Sequence, residues 1–159
     1  MIDQSKRRPE DFFIRKLLKD IKIKEIMTRP VISIKVDALF SEVAEKITQN
    51  KLRHLPVVDK NNKLVGLITQ RDLYKISPPR KLEDGSWHYD KDELNNFILE
   101  KVMIPQPFSM KPDDSVGEAV LNMVQLKYGC VPVVFKNNVL CGIITQLDIL
   151  KLAAQIYKE

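Results

Sequence analysis

The sequence predicts an α/β protein: two pseudo-symmetric β-α-β-β-α repeats packed through their sheets, with one helix in front. Three observations point there. "GLITQRD" at Gly66–Asp72 returns as "GIITQLD" at Gly142–Asp148. Offsetting the chain by 76 positions lays 26–76 over 102–152 without a gap, and 20 of the 51 aligned positions are identical. Self-similarity of that extent marks a repeat architecture. Each half, finally, is too small to bury its own apolar strands, so the two must share buried surface.

The elements follow in the same order in both copies. A short extended run comes first, Val31–Ile34 and Phe108–Met110. An amphipathic helix follows, with Phe40, Val43, Ala44 and Ile47 at i, i+3, i+4 and i+7, echoed by Val116, Ala119, Val120 and Met123. Asp37 is the expected N-cap of the first copy, and Ser115 with Glu118 forms a capping box in the second. Two apolar strands come next, "LPVVD" and "KLVGLI", then "VPVVF" and "VLCGII", joined each time around "KNN". Asparagine tolerates the left-handed backbone of a tight turn. Closing helices are expected over Gln70–Ile76 and from Gln146 through Ile156.

The boundaries are a basic N-terminal helix over 1–20, repeat one over 21–76, a connection over 77–101 and repeat two over 102–159. In the first segment Pro9 suits the first helical position, and Ile14, Leu17, Leu18 and Ile21 make an apolar stripe expected to pack on the body, with a partner protein or a second protomer as the alternative. The connection carries Trp87, His88 and Tyr89, either buried against the core or serving as a lid. Asp90 and Glu93 are placed to cap a helix bearing Leu94, Phe97 and Ile98.

Composition excludes several function classes. Hydrophobic content of 44% with 30% charged residues suits a chain that folds in water. No apolar run approaches the roughly 20 residues of a membrane span, and "MIDQSKRRPEDFF" lacks the apolar region of a signal peptide, so a cytoplasmic location is expected. Net charge is +5, and most of it lies in residues 1–24, with eight basic against four acidic side chains. The repeated body is nearly neutral, and no nucleic-acid partner is expected. Cys130 and Cys141 sit in apolar strands without metal-type spacing and read as reduced thiols.

The junction T-x-x-D admits two readings. One is a capping box, in which Thr69 or Thr145 and the carboxylate of Asp72 or Asp148 satisfy helix-end amides. The other is a clamp in which the carboxylate accepts bonds from the vicinal hydroxyls of a ribose, with the threonine and helix start favouring phosphate. The "PVV" strands, the paired junctions and the complete repeats resemble a tandem CBS-domain pair, or Bateman module, over about residues 21–156.

That resemblance implies adenosyl ligands in clefts between the repeats, the junction aspartate on the ribose and strand residues around the adenine. Carried over by position, it implicates Val31, Ile32, Ser33, Leu55, Thr69 and Asp72 in repeat one, and Phe108, Ser109, Val131, Thr145 and Asp148 in repeat two. It also implies that Arg53 and His54, before "LPVV", reach phosphates, including those of a ligand held mostly by the other repeat, with Arg71 beside them inside the junction. Repeat two has Gly129, Cys130 and Leu147 at those positions, so the sites are chemically unequal. Against this stands a solvated helix end at Arg53 and His54.

The expected function is a stand-alone regulatory sensor that binds AMP, ADP, ATP or S-adenosylmethionine and signals by population shift. No cofactor is required, no metal site is expected, and the partners are a second copy of the chain and an unidentified protein. A structural dimerisation module with vestigial clefts is the alternative. An enzyme has no support: there is no phosphate-binding loop lysine, no GxGxxG, no HExxH, and no nucleophile beside a base.

Overall fold

The structure, a computed structural model, describes residues 9–158. Its elements in chain order are α1 (Pro9–Asp20), α2 (Ile23–Ile26), β1 (Ile34–Lys35), α3 (Phe40–Gln49), β2 (His54–Val58), β3 (Leu64–Thr69), α4 (Gln70–Ile76), β4 (Arg80–Lys81), β5 (Trp87–His88), α5 (Lys91–Leu94), α6 (Leu99–Val102), β6 (Ile104–Pro105), α7 (Val116–Leu126), β7 (Cys130–Val134), β8 (Leu140–Thr145) and α8 (Gln146–Lys158). The mixed α/β class and the paired strand–strand–helix order agree with the sequence. Basic residues at positions 6–8, part of the expected N-terminal charge, lie outside the described residues.

Two compact units emerge, and they cut across the chain order. The Asp72 unit comprises Val31–Phe108 with Lys136–Leu140. The Asp148 unit comprises the described residues up to Pro30, Ser109–Phe135 and the chain from Cys141 onward.

In the Asp72 unit the sheet order is β1-β2-β3-β6. β1 runs parallel to β2 with Ile34 opposite Val57, while β2 and β3 form an antiparallel hairpin with His54 opposite Thr69. Asn62, in the "KNN" turn, has φ of 60°, and Asp59 Oδ1 accepts from the Asn61 and Lys63 amides at 2.8 and 2.9 Å. The last strand, β6, belongs to the stretch leading into repeat two, and its Ile104 lies opposite Leu67. Phe40, Val43 and Ile47 of α3 are buried with Leu55, Val57, Ile68, Leu73, Leu94 and Leu99 as one core.

The Asp148 unit repeats this plan with segments exchanged. β7 and β8 pair, and the edge beside β8 is supplied by the start of repeat one. There the Thr28 amide donates to the Ile143 carbonyl at 2.9 Å and the Ile143 amide to the Thr28 carbonyl at 3.2 Å. Its core gathers Ile23, Met110, Ala119, Met123, Val131, Val133 and Ile144. Packing of this exchanged stretch explains the motif glycines. A Cβ added to Gly142 would lie 2.5 Å from Met27 Sδ, and one added to Gly66 would lie closer still to Met103 Sδ. Each glycine thus admits the methionine at the start of the other copy, and no left-handed backbone is involved.

Several local expectations change. The first extended run shrinks to Ile34–Lys35, and its counterpart to the single bridge between Met110 and Val133. Asp37 is not the N-cap of α3: the helix starts at Phe40, after Leu39, whose amide donates to Glu42 Oε1 at 3.0 Å. Leu39 aligns with Ser115, so both helices begin in the same register and the glutamate three residues on caps both. The Ser115–Glu118 box forms as expected, with Ser115 Oγ accepting from the Glu118 amide at 3.2 Å. Asp90 does cap α5, its Oδ1 accepting from the Asp92 and Glu93 amides at 3.1 Å, but that helix ends at Leu94 and leaves Ile98 exposed.

Trp87 lies exposed on the β4–β5 hairpin, whereas Tyr89 packs on the core. The α1 stripe is used in part. α1 packs on α7, where Gly117 lies against the Leu18 backbone, while Ile14 and Leu17 remain exposed.

Candidate functional site

Each strand–helix junction is built by the hairpin that precedes it. In the Asp72 unit the last residue of β3, Thr69, pairs with the first of β2, His54, and the Gln70 amide donates to the Arg53 carbonyl at 2.9 Å. This register brings Arg53, His54, Thr69 and Asp72 to one end of the hairpin. Asp72 Oδ2 accepts from the Thr69 amide at 3.0 Å and from Thr69 Oγ1 at 2.6 Å, and the Asp72 amide donates to Thr69 Oγ1 at 3.2 Å. The capping box is therefore real. It occupies one carboxylate oxygen, and Oδ1 has no hydrogen-bond partner among the described residues.

The Asp148 junction has the same backbone. The Gln146 amide donates to the Gly129 carbonyl at 3.2 Å. Asp148 Oδ2 accepts from the Thr145 amide at 2.8 Å and from Thr145 Oγ1 at 2.7 Å. Two features differ. Asp148 is 6% exposed, and its Oδ1 accepts from Thr28 Oγ1 at 3.2 Å. Thr28 was not among the residues singled out from the sequence. The signal was present, since Ile104 occupies its position in the other copy, but nothing in the sequence joins Thr28 to Asp148.

The side chains around the junctions differ as expected. Arg53 and Arg71 are exposed, and His54 is half-buried at the start of β2. Burial, with a smaller contribution from the neighbouring Arg53 charge, lowers the His54 pKa below its ordinary value. Cys130, at the matching position, is buried and its thiol is pushed up to about 12, so it is a neutral packing group. Cys141 is also a free thiol, raised by burial, and donates to the Val133 carbonyl at 3.3 Å.

Of the remaining sequence candidates, Leu55 and Val131 are wholly buried in their cores. Val31 and Ser33 are half-buried, Ile32 is exposed, and the Ser33 carbonyl accepts from Lys46 Nζ at 2.7 Å. Phe108 belongs to the Asp72 unit and Ser109 to the Asp148 unit. Among the described residues no group of three or more His, Cys, Asp or Glu could hold a metal ion. None of the described helices is long and apolar enough to cross a membrane.

The chain has counterparts among known proteins. The CBS domain family model matches residues 23–78 and 99–155. An uncharacterized protein of Methanocaldococcus jannaschii is 31% identical over 90% of this chain, which spans 34% of that protein. A CBS domain-containing protein of Dictyostelium discoideum is 28% identical over 84% of this chain and 92% of its own length. Among solved structures, the CBS domain pair of protein MJ0100, in complex with 5′-methylthioadenosine and S-adenosyl-L-methionine, superposes with a TM-score of 0.69 at 26% identity, covering 84% of this chain and 96% of that one. With both repeats matched along most of their length, the chain belongs to the CBS domain family and carries two such domains in tandem.

Proposed function

We propose that this chain is a regulatory module that binds an adenosyl ligand, with the junction carboxylate on the ribose. One observation carries the reading: Asp72 is fixed by Thr69 through one carboxylate oxygen and keeps the other open, beside Arg53, His54 and Arg71. A fixed carboxylate with free acceptor capacity suits a vicinal diol, and the basic side chains suit phosphate, as in AMP, ADP or ATP. The adenosyl ligands of the MJ0100 pair support the class. Val31, Ile32, Ser33 and Leu55 are the proposed base-side contacts of the Asp72 junction. Phe108, Ser109 and Val131 are their counterparts in repeat two.

The output is a population shift: a ligand that prefers one conformation of the module raises its share and alters what a partner meets. A second copy of the chain is one proposed partner. Exposed Leu121 and Val124 on α7 and Leu147 and Leu150 on α8 support it, and an unidentified protein would receive the signal. No residue is assigned a catalytic role, and the proposed compartment is the cytoplasm.

Thermal unfolding with AMP, ADP, ATP and S-adenosylmethionine tests the reading. A ligand present at 100 times its Kd should stabilise by about 2.7 kcal/mol. A flat response to all four would leave the second reading, a structural module whose aspartates serve only as caps. The complete capping box in both junctions favours that reading.

A further inference from the structure

We propose that this chain pairs with a second copy through one unit only, by the outward face of α7 and α8 in the Asp148 unit. The inference rests on the second copy named above as a partner. It deepens that reading by leaving the matching face of α3 and α4 out of the contact.

The repeat lets the two faces be compared position by position. Leu121, Val124, Leu147 and Leu150 are each more than half exposed. At the matching positions of repeat one stand Glu45, Thr48, Arg71 and Tyr74. There the chain's own connection occupies the face. Asn95 Oδ1 accepts from the Ser41 amide at 3.0 Å, and Phe97 lies against Phe40 with ring centroids 6.2 Å apart. The Tyr89 hydroxyl reaches the side chains of both Thr48 and Tyr74. One hydroxyl touching both means that these positions of α3 and α4 adjoin, and by the repeat Val124 adjoins Leu150 in the same way. In the Asp148 unit α1 stands in for the connection but covers less. It meets α7 at Gly117, the match of Ser41, and leaves Leu121 and Val124 bare further along the helix.

Charge decides what fits this face. A two-fold contact sets a surface against itself, so a charge near the axis meets a like charge, at a cost once water is excluded. In α7 the one charged residue is Glu118, whose carboxylate is held by the Ser115 amide and hydroxyl at 3.1 and 3.0 Å. On α8 Leu147, Leu150, Ala154 and Tyr157 continue the face at helical spacing without a charge. α3 instead carries Glu42, Glu45 and Lys46. The α7–α8 face thus matches its own copy, and it offers a foreign partner no charge by which to be selected.

Analytical ultracentrifugation of the full chain over a concentration series tests this. The wild type should be a dimer. Val124→Glu with Leu150→Glu should weaken it by about 100-fold or more, since each carboxylate would be buried unpaired. Leu121→Lys, also at an exposed position, should act in the same direction, and circular dichroism should show all variants folded. Glu45→Arg, at the match of Leu121, should leave the dimer as it is. A wild type that stays monomeric would overturn both this inference and the second copy as partner. A dimer that survives the α7 and α8 substitutions, or one that Glu45→Arg weakens equally, would overturn the one-sided contact and leave the second copy standing.

Discussion

The Asp72 and Asp148 junctions share a backbone and differ in almost everything attached to it. Both bring a strand end, a threonine and a first-turn aspartate together with hydrogen bonds that agree within a few tenths of an ångström. Both receive a helix amide at the carbonyl that precedes the inner strand. Arg53, His54 and Arg71 stand at the strand start and helix start of the one, Gly129, Cys130 and Leu147 at those of the other. The comparison separates two demands on one motif. The glycine, the threonine and the aspartate are required by packing and capping alone, so their duplication follows from the fold. The side chains free of those duties are where the copies diverge.

The largest effect should come from filling the glycine positions. Gly66→Ala drives a methyl group into Met103, which is 8% exposed and has little room to move. Overpacking of this kind costs about 1–3 kcal/mol. Gly142→Ala meets Met27, which is less buried and can yield, so it should cost less. Urea unfolding of the two variants would show the order. Equal losses would mean that the glycines answer to something other than the two methionines.

Next come the aspartates, which should divide stability and binding between them. Asp148→Asn weakens a buried carboxylate that serves Thr145 and Thr28 together, and should lower stability by about 1–2 kcal/mol. Asp72→Asn loses an equivalent cap in a wetter place and should cost less stability, but it should lose the nucleotide. Chemical denaturation and calorimetry on both variants check this. If the more destabilised variant is also the one that loses ligand, capping and binding are not divided in this way.

Arg53→Ala should have a smaller effect. Its side chain is exposed, so a contact to phosphate is screened and is worth a few-fold in affinity at most. AMP should lose its advantage over adenosine in the variant, and the wild-type preference should shrink as salt is raised. A wild type that binds AMP and adenosine equally would reduce Arg53 to a solvated end of the strand.

How much of this could be read from the chain depends on the range of the interactions. The repeat, the Asn62 and Asn138 turns, with φ of 60° and 65°, and the Ser115 cap are local, and local patterns stated them. The exchange of segments was not legible. Residues 21–30 and 102–108 begin their own repeats in sequence but pack on the other copy's strands, and no pattern of apolar residues says which copy a strand edge will choose. For the same reason the tenants of Gly66 and Gly142 were invisible, although Met27 and Met103 are themselves a repeated pair. Asp37 misled because it is a good capping residue two positions too early. Leu39, an unfavourable N-cap, sits where the register requires it, and Glu42 compensates. Leu55 and Val131 were assigned by position alone, and only burial shows that their side chains are committed to the core.

His54 offers the finest distinction between the units. Burial first, and the Arg53 charge second, hold its pKa below the ordinary value of 6.5. Between the folded and unfolded values the unfolded chain binds a proton that the folded chain does not, so stability rises with pH there. The His54 contribution is complete above the ordinary value and is lost as the pH falls below it. Cys130, at the same place in the other unit, is pushed up to about 12 and supplies no titration in that range. Urea unfolding between pH 7.5 and 5.5 should therefore show a loss of stability that is diminished in His54→Gln and little changed in Cys130→Ala. Arg53→Ala should soften the loss only slightly, because charge is the lesser cause. A phosphate ligand seated beside His54 should oppose the trend, since an anion favours the protonated ring. AMP should then lift the apparent His54 pKa in a nuclear magnetic resonance titration while adenosine leaves it low, and identical titrations with the two would place the phosphate away from this histidine.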